Sequence, residues 1–116
     1  MKKILIVNTN DIERNLDRMV LGQLGYEVSV AVTVTKALDL CVEEYRRPDL
    51  ALIGPDLKSI HGYDLCKILK SEEGTRSIYV VGIGNESEKE KWKMARADSY
   101  LVKPYAAEEM VEIVKG

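Results

Sequence analysis

Residues 48–56 read Pro-Asp-Leu-Ala-Leu-Ile-Gly-Pro-Asp. Four consecutive apolar residues lie here between a proline and a Gly-Pro pair, and both proline and glycine interrupt regular structure. A continuous apolar run of this length predicts a strand that is covered on both faces, as in a parallel sheet. The feature recurs along the chain, because strand-like runs are found at residues 3–7, 26–32, 49–53, 78–83 and 99–103.

The segments between these runs have the apolar spacing of helices, and we expect their apolar stripes to face the core. The four stripes are Ile12, Leu16, Met19, Val20 and Leu24; Leu38, Cys41, Val42 and Tyr45; Leu65, Ile68 and Leu69; and Ala107, Met110, Val111 and Val114. Residues 87–97 are mostly polar and are predicted to form a further helix. Strands and helices therefore alternate five times, which predicts an α/β fold with a doubly wound, five-stranded parallel sheet and helices on both faces.

Residues that favour helix ends support this division of the chain. Asn10 followed by Glu13 resembles a capping box at the start of the first helix, and Gly25 suits the end of that helix. Thr35 is predicted to cap the second helix.

Length, charge and composition exclude several classes of function. The 116 residues suffice for one domain, predicted to span residues 1–116, which a longer protein could also carry. A formal net charge of −2 leaves no basic excess for nucleic acid, and no apolar run is long enough to cross a membrane. The amino terminus lacks the features of a signal peptide, so we expect a cytoplasmic protein.

The cysteine and histidine content argues against a disulfide framework or a zinc site. Two cysteines, Cys41 and Cys66, and one histidine, His61, are too few for either. We expect both thiols to be inert packing groups and His61 to be a solvated loop residue.

In a doubly wound sheet, ligands bind beyond the carboxyl ends of the strands, so the residues there decide the function. The chain carries Lys-Lys-Ile-Leu-Ile-Val at 2–7, Pro-Asp-Leu-Ala-Leu-Ile at 48–53, Gly-Tyr-Asp-Leu-Cys at 62–66 and Tyr-Leu-Val-Lys-Pro-Tyr at 100–105. These segments, in this order, closely resemble the receiver domains of bacterial response regulators, over essentially the whole chain. The resemblance implies the flavodoxin-like strand order 2-1-3-4-5 and a role in two-component (phosphorelay) signalling.

The resemblance also implies where a receiver's chemistry would lie. Family members carry an acidic pair that holds magnesium after strand one, a phospho-accepting Asp at the end of strand three, a Thr or Ser after strand four, and a Lys before a Pro after strand five. In this chain those positions are Asn8 and Thr9, Gly54, Gly84 and Lys103. Only the lysine keeps the residue type of the family.

These departures remove the groups that phosphoryl transfer needs. Gly54 has no side chain to form an acyl phosphate, and Asn8 and Thr9 offer neutral oxygens where Mg²⁺ requires carboxylates. Gly84 supplies no hydroxyl. The sequence therefore predicts a degenerate receiver that is not an enzyme, with no catalytic or metal-binding residues, no cofactor, and weak or absent magnesium binding.

The remaining polar residues of the crevice leave alternatives open. Lys103 is interpreted as a relic that pairs with Asp56, Asp11 or a main-chain carbonyl, or else as an anion site together with the backbone amides of Gly84 and Asn85. Asp56 lies two residues beyond the acceptor position. It is an alternative, atypical phospho-acceptor, although loop aspartates commonly stabilise turns.

Three aromatic residues are assigned to a switch and partner face formed by helix four, strand five and helix five. Tyr100 lies at the aromatic switch position of the family, and with no side chain at Gly84 we expect it to rest inward and hold this face in one state. Tyr105 and Trp92 are placed on the same face, Trp92 either as a packed lid over the sheet edge, which we favour, or as an exposed anchor. The spacing from Gly84 to Tyr100 is about three residues shorter than in the family, roughly one helical turn, so helix four is predicted to be short.

The sequence thus favours a pseudo-receiver that acts through contact with a kinase-like protein, an effector domain or a second copy, a homodimer included. The alternatives are a sensor of a small anion or metabolite in the crevice near Lys103, and a phospho-acceptor that uses Asp56. No nucleic-acid or membrane partner is expected.

Overall fold

Strand β3 (Leu50–Ile53) lies at the centre of a five-stranded parallel sheet in the computed structural model, which describes residues 2–116. Strands β1 (Lys3–Val7) and β4 (Tyr79–Gly84) pair with its two sides, and β2 (Glu27–Ala31) and β5 (Ser99–Val102) form the edges. All four residues of β3 are buried, as the apolar run requires. The order β2-β1-β3-β4-β5 confirms the predicted topology.

Helices on both faces divide the interior into two cores. Within the described residues the helices are α1 (Asp11–Gln23), α2 (Val34–Val42), α3 (Gly62–Ser71), α4 (Lys89–Met94) and α5 (Ala107–Lys115). Helix α4 follows a 3-10 turn at Glu86–Glu88. Side chains alternate along each strand, so Ile6 and Leu52 pack with α1 and α5, while Val7 and Ile53 pack with α2, α3 and α4.

Most of the apolar stripe of α1 faces solvent, so the prediction that it faces the core is wrong except for Val20, which packs against the core. Ile12 is 80% exposed, and Leu16 and Met19 are each 56% exposed. The core on this side of the sheet takes Leu21 from α1, and Met110 and Val114 of α5 fill the adjoining space.

Four further residues of the predicted stripes also lie at the surface, Ile68 of α3 and Ala107 of α5 among them. Val42 and Tyr45 are exposed, because α2 ends at Val42 and Tyr45 lies in the turn beyond it. Cys41, one residue earlier, is buried as predicted, and burial raises the pKa of its thiol to about 11.

The helix caps confirm one predicted start and correct another. The Asn10 side chain accepts a hydrogen bond from the Glu13 N–H at 3.0 Å and so caps α1, and Gly25 beyond the end of α1 has a φ of 92°. The second helix is capped by Thr33, whose hydroxyl accepts the N–H three residues further on at 3.1 Å. Thr35 lies inside the helix, where its backbone cannot take the extended conformation that a cap requires.

Helix α4 has six residues, which confirms the short helix that was predicted, and its Trp92 is buried. Trp92 is 1% exposed and lies where glycines at two positions leave space for the indole. A Cβ at Gly82 would overlap ring atoms Cδ2 and Cε3, and a Cβ at Gly62 would lie 2.9 Å from Cζ2 and Cη2. The favoured prediction that Trp92 packs is therefore confirmed, while the alternative of an exposed anchor on the partner face is wrong, because the indole fills a gap in the core.

Candidate functional site

The crevice lies at the carboxyl edge of the sheet, where β1 and its neighbour β3 lead to helices on opposite faces. The loop that follows β3 stays close to β1, because the Gly54 N–H donates to the Val7 carbonyl at 2.8 Å. On the other side of the crevice, the Lys103 N–H donates to the Gly84 carbonyl at 2.8 Å. The predicted site residues are thus brought to one edge of the sheet.

Gly54, the residue predicted at the acceptor position, opens toward Asn8. A Cβ at Gly54 would lie 3.3 Å from Asn8 Cγ and 3.4 Å from Asn8 Oδ1, a close but not overlapping approach. The chain passes close to Gly54 again at Gly62. Residue 62 must lack a side chain, because a Cβ there would overlap the Gly54 carbonyl oxygen. The backbone of the crevice is therefore tightly packed, while position 54 offers no nucleophile.

Asn8 and Thr9 are engaged in hydrogen bonds within the protein. The buried Asn8 accepts the Asn10 N–H through Oδ1 at 2.9 Å and donates through Nδ2 to Glu13 at 3.3 Å. Thr9 donates its hydroxyl to the carbonyl of Asp56 at 3.1 Å. The two positions of the family's acidic pair are thus used to tie the β1–α1 loop to its surroundings.

Lys103 forms an ion pair with Glu13, its Nζ lying 2.9 Å from Oε2. Asp56 and Asp11, the carboxylates considered from the sequence, are not the partners. The Glu13 carboxylate also accepts a hydrogen bond from the Asn8 side chain. It therefore links Asn8, which follows β1, to Lys103, which follows β5. Sequence reasoning assigned Glu13 only to helix capping, and nothing in its spacing indicates that its side chain turns toward Lys103.

Asp56 stabilises its own turn. Its Oδ1 accepts the N–H of Lys58 at 3.1 Å, the side chain is exposed, and the residue pairs with His61 in an isolated bridge. Lys58 takes a φ of 72°, which suits a tight turn. His61 itself is exposed and stacks on Tyr63, with ring centroids 4.9 Å apart.

Tyr100 points inward over Gly84. A Cβ at Gly84 would lie 2.6 Å from the tyrosine oxygen and 3.0 Å from Oε1 of Glu88. The Tyr100 hydroxyl donates to the Asn85 carbonyl at 2.6 Å. Burial, followed by the charges of Glu88 and Glu86, raises the pKa of Tyr100 to about 12, so the phenol stays protonated as a donor.

Tyr105 lies on the α1 side of the sheet and not beside Tyr100. Its hydroxyl donates to Asp17 at 2.7 Å, and it packs against the core cluster that contains α1 and α5. Burial, with Asp17 next to it, raises the pKa of Tyr105 above its usual range. Glu13 and Asp17 stand one helical turn apart on α1, so α1 is bound to the β5–α5 segment at two neighbouring points.

Residues 2–116 contain neither a metal-binding cluster nor a membrane-spanning helix. No group of three or more His, Cys, Asp or Glu side chains comes together there in a way that would hold a metal ion. None of the helices in that range has the length and apolar character needed to span a membrane.

A five-stranded flavodoxin-like sheet, with a crevice at its switch point and a Lys-Pro pair after the last strand, defines a class of small α/β signalling domains. Comparison with known proteins gives the family, since the model of the response regulator receiver domain matches residues 4–115. The chain belongs to this family and is a receiver domain of two-component signalling.

Individual relatives align over nearly the full length. The polar-differentiation response regulator DivK of Brucella ovis is 28% identical, over 99% of this chain and 94% of the relative. The crystal structure of a protein assigned as a response regulator from Chloroflexus aurantiacus is 30% identical with a TM-score of 0.91, and the match covers 98% of this chain and 94% of that one.

A third relative shares the fold and carries a metal ion. The receiver domain of the sensor histidine kinase PA1611 of Pseudomonas aeruginosa is 22% identical with a TM-score of 0.87, and the match covers 98% of this chain and 94% of that one. That domain has a magnesium ion coordinated in its active-site cleft.

Proposed function

We propose that this chain is a pseudo-receiver, a two-component signalling domain that accepts no phosphoryl group and acts through contacts with other proteins. The observation that carries the proposal is Gly54 at the acceptor position. An acyl phosphate needs a carboxylate oxygen as nucleophile, and at this point of the crevice the chain has only backbone. Asp56, two residues on, directs its carboxylate to the Lys58 N–H.

The state of Lys103 supports the same proposal. A lysine that receives a phosphoryl oxygen must be free to do so, and here the Glu13 carboxylate lies 2.9 Å from its Nζ. An incoming anion would have to displace an internal carboxylate that a hydrogen bond from Asn8 also holds. The same contact weighs against the alternative of a small-anion sensor at Lys103.

The surroundings of Gly84 support a single resting state. The Tyr100 hydroxyl and the Glu88 carboxylate take the space next to position 84, where the family has a hydroxyl side chain. Because Tyr100 is inward without phosphorylation, we propose that the surface of α4, β5 and α5 is held in one arrangement. Signalling by this domain then depends on the presence of the domain and its partner, not on a phosphorylation switch.

The exposed stripe of α1 supports action through protein contact. Ile12, Leu16 and Met19 present three large apolar side chains on successive turns of a surface helix. Exposed apolar patches of this kind commonly mark interaction surfaces. We propose this stripe as a contact surface for a kinase-like protein, an effector domain or a second copy of the chain.

Incubation with acetyl phosphate and Mg²⁺, and separately with beryllium fluoride and Mg²⁺, tests the proposal. Trp92 is the sole tryptophan and is buried with its ring centroid 6.1 Å from that of Tyr100, so its fluorescence reports rearrangement near the crevice. We expect no mass increase with acetyl phosphate and no fluorescence change with either reagent. A stoichiometric, acid-stable mass increase would overturn the proposal.

A matched gain-of-function series makes the negative result informative. Together, Asn8→Asp, Thr9→Asp and Gly54→Asp supply three carboxylates, and the 3.3 Å approach at position 54 requires Asn8 to shift by only a few tenths of an ångström. We expect this triple variant to bind Mg²⁺, detected as quenching of Trp92 fluorescence, and Gly54→Asp alone to bind none. Adding Glu13→Gln should increase any phosphorylation of the triple variant, because Lys103 is then free. If Gly54→Asp alone becomes phosphorylated, the metal-site part of the argument is wrong.

A further inference from the structure

A cavity of about 420 Å³ lies between α1 and the segment that joins β5 to α5. Its walls are apolar side chains from both elements, Leu16, Val20, Pro104 and Ala107. Cavities of a few hundred cubic ångströms with apolar walls are typical of sites for small organic ligands. The cavity adjoins the crevice at Glu13 and Lys103 and extends from there along α1 to Val20.

The polar side chains of the cavity are Glu13, Asp17, Lys103 and Tyr105. Glu13 and Lys103 neutralise each other at 2.9 Å. Asp17 is only 5% exposed, and among residues 2–116 its one polar side-chain contact is the hydrogen bond that Oδ2 accepts from Tyr105 at 2.7 Å. Over residues 2–116, no lysine, arginine or histidine nitrogen lies within 4.0 Å of it. The cavity therefore carries one carboxylate that lacks a cation.

A buried carboxylate without a cation is costly, and aspartate is almost never fully buried unless paired. Burial accordingly raises the pKa of Asp17, although the hydrogen bond from Tyr105 opposes the rise. The other charges that face the cavity cancel, so a positively charged group placed beside Asp17 would meet an attractive field and the oxygen Oδ1, which accepts no hydrogen bond from a side chain of residues 2–116.

We propose that this cavity binds an organic cation, an ammonium or guanidinium group on an apolar stem. The cationic group donates to the Asp17 carboxylate, and the stem packs against Leu16, Val20 and Pro104. The same chemistry could arrive as a free amine or as a lysine or arginine side chain of a partner protein. This site does not depend on the proposed pseudo-receiver function, and its charge preference is opposite to that of an anion site at Lys103.

Titration with phenethylamine, followed by calorimetry and by amide NMR shifts of α1, tests the proposal, with 2-phenylethanol as the uncharged probe of the same shape. We expect the amine to bind at least about tenfold more tightly than the alcohol, as a hydrogen bond to a charged group implies. Asp17→Asn should lower the affinity for the amine to that for the alcohol. Asp11→Asn, which removes an exposed charge from the same helix, should leave the affinity unchanged.

Equal binding of the two probes, or unchanged amine binding by Asp17→Asn, would overturn the proposal, as would absence of amine binding at millimolar concentration. The comparison of probes on the wild-type chain keeps the test decisive even if the variant folds poorly. A capped Leu-Arg-Leu peptide distinguishes the sources. If the peptide binds more tightly than phenethylamine and its binding depends on Asp17, the site is assigned to a protein side chain. If phenethylamine binds more tightly than the peptide, the site is assigned to a free amine.

Discussion

Replacement of Gly82 by alanine tests whether Trp92 packs as the structure places it. The added Cβ would lie 2.9 Å from Cζ3 of the indole and would overlap Cδ2 and Cε3, whereas ordinary contacts of a Cβ lie at 3.4–4 Å. Trp92 is 1% exposed, and a Cβ at Gly62 would lie only 2.9 Å from the other side of its ring. The indole therefore cannot move aside without disturbing α3.

The magnitude follows from two opposing effects. Overpacking of a dense core costs roughly 1–3 kcal/mol. Removing a glycine from a strand interior by itself stabilises by roughly 0.5–1 kcal/mol. Overpacking is larger, so we expect Gly82→Ala to lower the free energy of unfolding by about 1–2 kcal/mol. In a Trp92→Leu background the ring is gone, and the same substitution should raise it by up to about 1 kcal/mol.

Urea unfolding followed by circular dichroism measures all four members of this cycle. Gly22→Ala is the matched control, because a Cβ at Gly22 in α1 meets nothing within 4 Å. It should stabilise the protein by about 1 kcal/mol. If Gly82→Ala has the same effect with and without the indole, Trp92 does not occupy the space next to Gly82 and its placement in the core is wrong.

Two further predictions concern the polar contacts. Asp17→Asn keeps an acceptor for Tyr105 and should stabilise the protein at neutral pH by on the order of 1 kcal/mol, because the raised pKa of Asp17 means that folding favours its protonated form. In unfolding measured against pH, this gain should shrink as the pH falls through the raised pKa toward about 4, and a gain that persists in acid would contradict it. Gly84→Ala should cost about 1 kcal/mol or more, because its Cβ would lie 2.6 Å from the Tyr100 oxygen. The cost should fall in a Tyr100→Phe background, and an equal cost in both backgrounds would mean that Tyr100 does not rest over position 84.

Much of the architecture could be predicted because it depends on local patterns. Continuous apolar runs identify buried parallel strands, and their alternation with helical segments leaves few topologies. The capping role of Asn10 and the left-handed conformation of Gly25 are likewise properties of a few neighbouring residues. The order of motifs along the chain then indicated the family, and with it the position of the crevice.

Predictions about helix faces were less successful, because a helix can carry apolar residues on more than one side. The α1 stripe has helical spacing, yet α5 competes with it for the same face of the sheet. Packing was favoured for Trp92 over an exposed anchor, but the sequence did not indicate that two distant glycines open the space for it in the core. These outcomes depend on which elements meet, and no local pattern records that.

The sequence determined the alternation of strands and helices through its apolar spacing, and it determined the strand order only through its resemblance to receiver domains. It also determined that position 54 has no carboxylate, because that depends on residue identity alone. Only the folded structure decided how the remaining charges are paired. Lys103 has Glu13 as its counter-ion, and Tyr105 donates to a buried Asp17 that has no cation. These contacts join residues some 90 positions apart in the sequence. Electrostatic pairing depends on distance in space, and the sheet sets that distance by bringing the carboxyl ends of β1 and β5 to the same side of the molecule.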